Sequence, residues 1–406
     1  MTDGSHSRFA DALSRADEAG LRRTLPTLGK RSGPMLASGD TQALNLSSND
    51  YLGLAADVAL HRDFFAGADA VDLDRHGMGA SASRLLTGNH PAYTALEEDL
   101  CALYGGRHAT VFSSGYHANV GICSALAEKG DLFLADKLCH ASLIDGMRLS
   151  GAKLLRYRHL DYDHLERLLV QHRAAHRDIF IVSESVFSMD GDTADISRLV
   201  QLKRDHRARL LIDEAHAVGV FGDRGLGVCE REGCIPDVDL LVGTFGKALG
   251  SFGAFAVTDG DVRDYLVNHM RPFIFTTALP PSVVNWSRTT LARSATMQRE
   301  RTHLHSLAGR LREALRERNI TTGGDSQIVP AIVGPNQPAC DVAESLRDNG
   351  FLAFPIRPPT VPPGTARLRF SLSANMDWDQ IKAIPDIVAE HLRRDPSGEE
   401  KSNVRC

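Results

Sequence analysis

The residues best suited to covalent chemistry stand just after two apolar runs. Asp213-Glu214-Ala215-His216 follows Arg209–Ile212, and Thr244-Phe245-Gly246-Lys247-Ala248 follows Leu240–Val242. An acid and an imidazole at the end of one strand, then an amine after the next, can clamp a pyridine ring and capture its aldehyde. The Asp213 carboxylate would keep the ring nitrogen protonated, so that the ring accepts electrons left on a substrate carbon. His216 could reach the phenolic oxygen. Lys247 could form a Schiff base, because a buried lysine has an adjustable pKa. Taken singly the signals are weaker. Asp-Glu-Ala-His also suits a nucleotide-hydrolysing motor, but that chemistry needs a GxxxxGK[ST] loop, and the chain has none. An isolated Gly-Lys is more often a solvated loop, and only the combination with the acid and the imidazole reverses that reading.

The cofactor these residues point to is pyridoxal 5'-phosphate, and its phosphate needs donors. Ser113-Ser114-Gly115-Tyr116 follows the run Ala109–Phe112 and precedes a helix-like stretch. A strand-to-helix turn of that kind aims backbone N–H groups and hydroxyls at an anion. Ser188 and the Thr244 hydroxyl could add contacts. His140, in Leu138-Cys139-His140-Ala141-Ser142, could stack on one face of the ring, although a lone histidine is more often structural and its role leans on the other residues.

These residues need a frame. Short β-rich runs at Ala109–Phe112, Asp131–Ala135, Ile179–Ser183, Arg209–Ile212, Leu240–Val242 and Phe252–Thr258 alternate with helical stretches, which predicts an α/β fold with a mostly parallel sheet. Ligands of such sheets bind beyond the carboxyl ends of the strands, where the polar residues above lie. A chain of 406 residues is long for one core, and four segments are expected. They are an N-terminal segment (1–48), a large cofactor-binding domain (49–280), a small C-terminal α+β domain (281–392) and a tail (393–406). The small domain has long helical segments over about Val283–Arg318 and strands near Val329–Val333 and Ala366–Ser371. The tail lacks apolar periodicity and is expected to be disordered.

A formal charge of -5 gives no global attraction to nucleic acid or anionic lipid. Seven scattered cysteines without CxxC spacing suggest a reducing compartment and no metal site. No apolar run is long enough for a spanning helix. A cytoplasmic protein with neither nucleic acid nor membrane as partner is expected.

The blocks Asn45–Leu54 (NLSSNDYLGL), Ser183–Asp192 (SESVFSMDGD), Asp213–Gly227 (DEAHAVGVFGDRGLG) and Gly243–Gly250 (GTFGKALG) resemble those of the α-oxoamine synthases, a fold-type I family of pyridoxal-phosphate transferases. The likeness runs from about Leu21 to Leu392. It implies a large domain with a mostly parallel sheet, a smaller C-terminal α+β domain, and a homodimer with shared active sites. It also implies roles. Lys247 would carry the cofactor, Asp213 would face the pyridine nitrogen, His216 the phenolic oxygen, and His140 would stack on the ring and face substrate. Gly115, Tyr116, Ser188 and Thr244 would help seat the cofactor, and Thr276 would reach the phosphate held by the partner subunit. Asn49 and Arg369 match positions near the amino-acid carboxylate. Arg22 and Thr360 match positions near the acyl group, and Arg357 is a second candidate, after Arg369, for the carboxylate anchor. The pattern RPPTVPPGTARLR from Arg357 to Arg369 looks like members that join L-alanine to a pimeloyl thioester carried on coenzyme A or acyl carrier protein. Glycine-using members usually lack its leading Arg-Pro-Pro. A longer acyl thioester, a glycine-dependent ligase, an aminotransferase and a non-catalytic binding protein are the alternatives. At Gly77–Arg84, where glycine-richer versions are familiar, Ala82 bears on acyl-chain fit.

Overall fold

The computed structural model describes residues 7–38, 41–66 and 72–394. Of the tail expected to be disordered, residues 395–406 lie outside the described residues, whereas Arg393 belongs to the helix Ile384–Arg394. The chain forms two compact units, residues 49–188 with 192–304, and residues 1–48 with 189–191 and 305–406.

The larger unit is built on a seven-stranded sheet. In chain order its strands are β1 (His108–Phe112), β2 (Leu132–Asp136), β3 (Lys153–Tyr157), β4 (Ile179–Glu184), β5 (Arg209–Asp213), β6 (Leu240–Thr244) and β7 (Ala254–Thr258). Their spatial order is β1-β7-β6-β5-β4-β2-β3. The pairings among β3, β2, β4, β5 and β6 are parallel, and β7 runs antiparallel to both β6 and β1. Every residue of β2, β4, β6 and β7 is buried. This is why these strands read as continuous apolar runs rather than alternating ones. The carboxyl ends of β1, β2, β4, β5 and β6 fall on one edge, and there Glu184 is in register with Asp213, and Asp213 with Val242.

Two helices cover one face of the sheet near that edge, α1 (Gly115–Leu126) and α2 (Ala141–Leu149). Ala118, Ile122 and Cys123 of α1 and Leu143, Ile144 and Met147 of α2 pack in one cluster with Phe133, Val182, Leu211 and Val242 of the strands. The helices touch closely because position 146 is glycine. A Cβ there would stand 2.8 Å from the Asn119 and Val120 carbonyl oxygens, a separation that side chains do not tolerate.

The domain break expected at 280/281 lies instead at 304/305. Helix Pro281–Ala295 packs against helices Leu73–His76 and Pro91–Leu103 of the larger unit, so its apolar face is buried there. The smaller unit also takes in residues 1–48, which had been expected as a separate segment. Strand Thr41–Asn45 pairs in parallel with Phe351–Leu352, and Leu44 N–H donates to the Gly350 carbonyl at 2.8 Å. A second sheet of this unit sets Ala366–Ser371 between Ile328–Gly334 and Pro355–Ile356. Asp190 pairs with Arg367, and Gly191 (φ 70°) approaches so near that a Cβ would meet the Ile328 carbonyl.

Candidate active site

Asp213 closes β5 and is buried, as are His216 and Thr244, while Lys247 is half-buried. Lys247 Nζ lies 2.7 Å from His216 Nε2, and His216 Nδ1 lies 2.7 Å from the Tyr51 hydroxyl, which donates to Asn49 Oδ1 at 3.0 Å. One proton order satisfies the whole row. An Nζ–H donates to Nε2, Nδ1–H donates to the Tyr51 oxygen, and Tyr51 O–H donates to Asn49. Four side chains drawn from three separate segments of the chain are thus joined in one row.

Asp213 accepts from Asn119 Nδ2 at 2.7 Å and from the Ala215 N–H at 2.8 Å. A carboxylate offers about four lone-pair sites, so those remaining can receive the N–H of a pyridinium. Beside it, burial pushes the Glu184 carboxyl well above the ordinary carboxylate range, and the charge of Asp213 adds to this. Glu184 Oε1 accepts the His140 N–H at 2.5 Å. His140 caps α2 and reaches the surface, with Nδ1 2.7 Å from Ser142 Oγ. Loss of water around the ring lowers its pKa, helped by the charge of Lys247 and opposed by that of Asp213. Glu214 is buried and accepts N–H groups of Val228 and Cys229 and the Ser185 hydroxyl. It tethers the loop after β5 rather than facing the amine.

The first turn of α1 supplies the N–H groups expected for an anion. Ser114 is its N-cap, accepting the His117 N–H at 3.2 Å. Gly115 faces Thr244, since a Cβ there would stand 3.9 Å from Thr244 Oγ1. The Thr244 hydroxyl itself donates to the Gly253 carbonyl at 2.9 Å and accepts the Gly246 N–H at 3.1 Å. Tyr116 is half exposed, and its hydroxyl donates to Asp145 at 2.6 Å. Ser188 is partly buried at the end of the Ser183–Ser188 run, and Thr276 is partly buried after helix Arg271–Ile274. An amine, an acid with open lone pairs, an imidazole and a helix N-terminus are groups that pyridoxal phosphate needs, and the residues fit it.

The remaining expected residues belong to the smaller unit. Arg369 is buried in strand Ala366–Ser371 and donates to Ser371 Oγ at 2.6 Å. Arg22 is exposed and pairs with Asp17 at 2.6 Å. Thr360 is exposed and accepts from Arg23, not Arg22, at 3.3 Å. Arg357 is bonded to the Gly20 carbonyl and to Cys340 Sγ. No group of His, Cys, Asp and Glu among the described residues is arranged to hold a metal ion, and no described helix is long and apolar enough to cross a membrane.

Sequence reading missed Tyr51, Asn119, Ser142 and Glu184. Tyr51 stood inside the NLSSNDYLGL block. Asn119 is four residues after Gly115 on α1, hence on the same helical face, a signal that could have found it.

The family model for aminotransferase class I and II matches residues 41–387. The chain belongs to this family and, within it, to the α-oxoamine synthases, and its cofactor is pyridoxal phosphate. Among similar relatives, the 8-amino-7-oxononanoate synthase of Chlorobaculum parvum is 52% identical over 89% of this chain and 93% of its own length. That of Haemophilus ducreyi is 47% identical over 93% and 99%. Among solved structures, a serine palmitoyltransferase variant from S. paucimobilis, determined with PLP and myriocin bound, superposes with a TM-score of 0.87. It is 30% identical, over 95% of this chain and 97% of its own. An 8-amino-7-oxononanoate synthase from Francisella tularensis superposes with a TM-score of 0.72 at 28% identity, over 87% and 98%.

Proposed function

We propose that this chain condenses L-alanine with a pimeloyl thioester of coenzyme A or acyl carrier protein, giving 8-amino-7-oxononanoate, carbon dioxide and free thiol for biotin synthesis. A carbon–carbon bond forms between the alanine α-carbon and the thioester carbonyl, the carbon–sulfur bond breaks, and the alanine carboxylate leaves as carbon dioxide. Pyridoxal phosphate supplies a carbonyl that takes up amines and a ring that accepts electrons from the α-carbon. Lys247 Nζ would hold the cofactor and would serve as the base for the amino acid's α-proton. Asp213 would keep the ring nitrogen protonated, His216 would bond the phenolic oxygen, and His140 would cover one ring face. Gly115, Tyr116, Ser188 and Thr244 seat the phosphate end. Asn49 and Arg369 receive the amino-acid carboxylate, a task that suits a guanidinium fork. Arg22 and Thr360 lie on the acyl side. The enzyme works in the cytoplasm as a homodimer, with Thr276 reaching the partner subunit's cofactor.

The observation that carries the chemistry is Lys247 Nζ set 2.7 Å from His216 Nε2, beside a buried acid with lone pairs to spare. Identity near one half over most of the chain to oxononanoate synthases supports this choice of substrates. A second reading, condensation with a longer acyl thioester, is favoured only by the fold likeness to serine palmitoyltransferases. Purified protein given L-alanine and pimeloyl thioesters is expected to yield 8-amino-7-oxononanoate by mass. Product from serine and a long-chain thioester alone would overturn the substrate choice. Lys247→Ala is expected to lose turnover by at least about a thousandfold, together with the near-visible absorbance of lysine-bound cofactor. Full activity in that variant would overturn the site.

A further inference from the structure

A row of hydrogen bonds, buried from Asp213 as far as Ser142, runs on to His140 through two residues with no assigned role. Asn119 Nδ2 donates one hydrogen to Asp213 Oδ2 at 2.7 Å and the other to Ser142 Oγ at 3.1 Å. Asn119, Ser142 and Asp213 are all buried, so water does not compete for these bonds. The acid sets the direction. A reversed amide would place the Asn119 carbonyl oxygen against the carboxylate, a repulsive contact. Both amide hydrogens are committed to the row, and the orientation adopted leaves Asn119 Oδ1 buried with no partner among the described residues.

The direction then propagates. Ser142 Oγ accepts from Asn119, so its own hydrogen is available for His140 Nδ1, 2.7 Å away. The Ser142 backbone N–H also points at that nitrogen, at 3.3 Å. Two donors converge on Nδ1, which must therefore be the bare nitrogen of a neutral ring. The close contact of α1 and α2 at Gly146 holds Asn119 and Ser142 in reach of each other.

We propose that Asn119 and Ser142 are positioning residues that fix His140 in the tautomer carrying its proton on Nε2, with the charge of Asp213 setting the sense of the relay. The acid that faces the cofactor nitrogen and the imidazole that covers the ring are thereby one coupled unit. The proposal rests on the reading of Asp213 and His140 as cofactor contacts. It adds that Nε2 is the one ring nitrogen able to give a hydrogen bond to a substrate oxygen.

The test is made on cofactor-loaded protein without substrate, labelled with 15N-histidine, with the His140 signals assigned by their loss in His140→Gln. Nε2 protonated and Nδ1 bare at neutral pH is the expected result. Nδ1 protonated overturns the proposal with no variant needed. Ser142→Ala and Asn119→Ala are expected to mix the tautomers and to lower kcat by about three- to tenfold each, the size of one neutral hydrogen bond, with KM for the amino acid within about twofold. Because both break one relay, the double variant is expected to match the single ones, whereas independent sites would multiply. Multiplied effects, or an unchanged tautomer in both variants, overturn the relay. If Lys247→Ala instead keeps full activity, the reading of the site falls, a result separate from these.

Discussion

His159 is a histidine that behaves as a fixed cation. Its Nδ1 lies 2.8 Å from Asp136 Oδ1 and its Nε2 2.7 Å from Asp192 Oδ2, with its ring edge-on to Phe187. Burial works against the charged ring, but the two carboxylate hydrogen bonds outweigh it and lift the pKa from the ordinary 6.5 to about 10. The folded state therefore holds this proton more tightly than the unfolded one. Its contribution to stability is complete below the ordinary value and is lost as pH rises through about 10,. His159→Gln is expected to melt lower than wild type near pH 6, with the gap narrowing as the pH approaches 10. Melting curves across that range check it, and a gap independent of pH would contradict the charge. Asp192 immediately follows the Met189–Gly191 segment of the smaller unit, so this ion trio pins the chain where it re-enters the larger one.

At the scale of elements, helix–helix contact decides the site as much as the strands do. Gly146→Ala would drive a Cβ to 2.8 Å from Asn119 and Val120 backbone atoms. The helices must separate, at a cost of about 1–3 kcal/mol. Denaturant melts are expected to show that loss, and kcat is expected to fall because Asn119 moves with its helix. The strands were legible because they are continuous apolar runs ending in polar residues, and Asp213, His216 and Lys247 were legible because chemistry was written at those ends. The edge strand β3, KLLRY, was not anticipated, since Lys153 and Arg156 interrupt its apolar run and only its last residue is buried. Asn119, Ser142 and Tyr51 were harder still. Each matters through a residue far away in sequence, and the spacing along one segment does not reveal what another segment brings to it.

The whole molecule is expected to act as a pair of chains with shared sites. Thr276→Glu would set a carboxylate against the partner's bound phosphate, and Lys247→Ala removes the amine. Each variant alone is expected to be inactive. Mixed under subunit exchange, half the dimers become hybrids with one intact site of two, restoring about a quarter of wild-type activity. No recovery would show that each chain completes its own site.

The antiparallel strand β7 has a further consequence, for the order of events during synthesis. β1, whose end leads into Ser113–Gly115, has β7 as its sheet neighbour, with Phe112 opposite Ala254. A nascent chain on the ribosome thus exposes the turn proposed to seat the phosphate long before the segment that docks it has been translated. Vitamin capture must await nearly the whole of the larger unit, and the unpaired early strand is where a chaperone has most to protect.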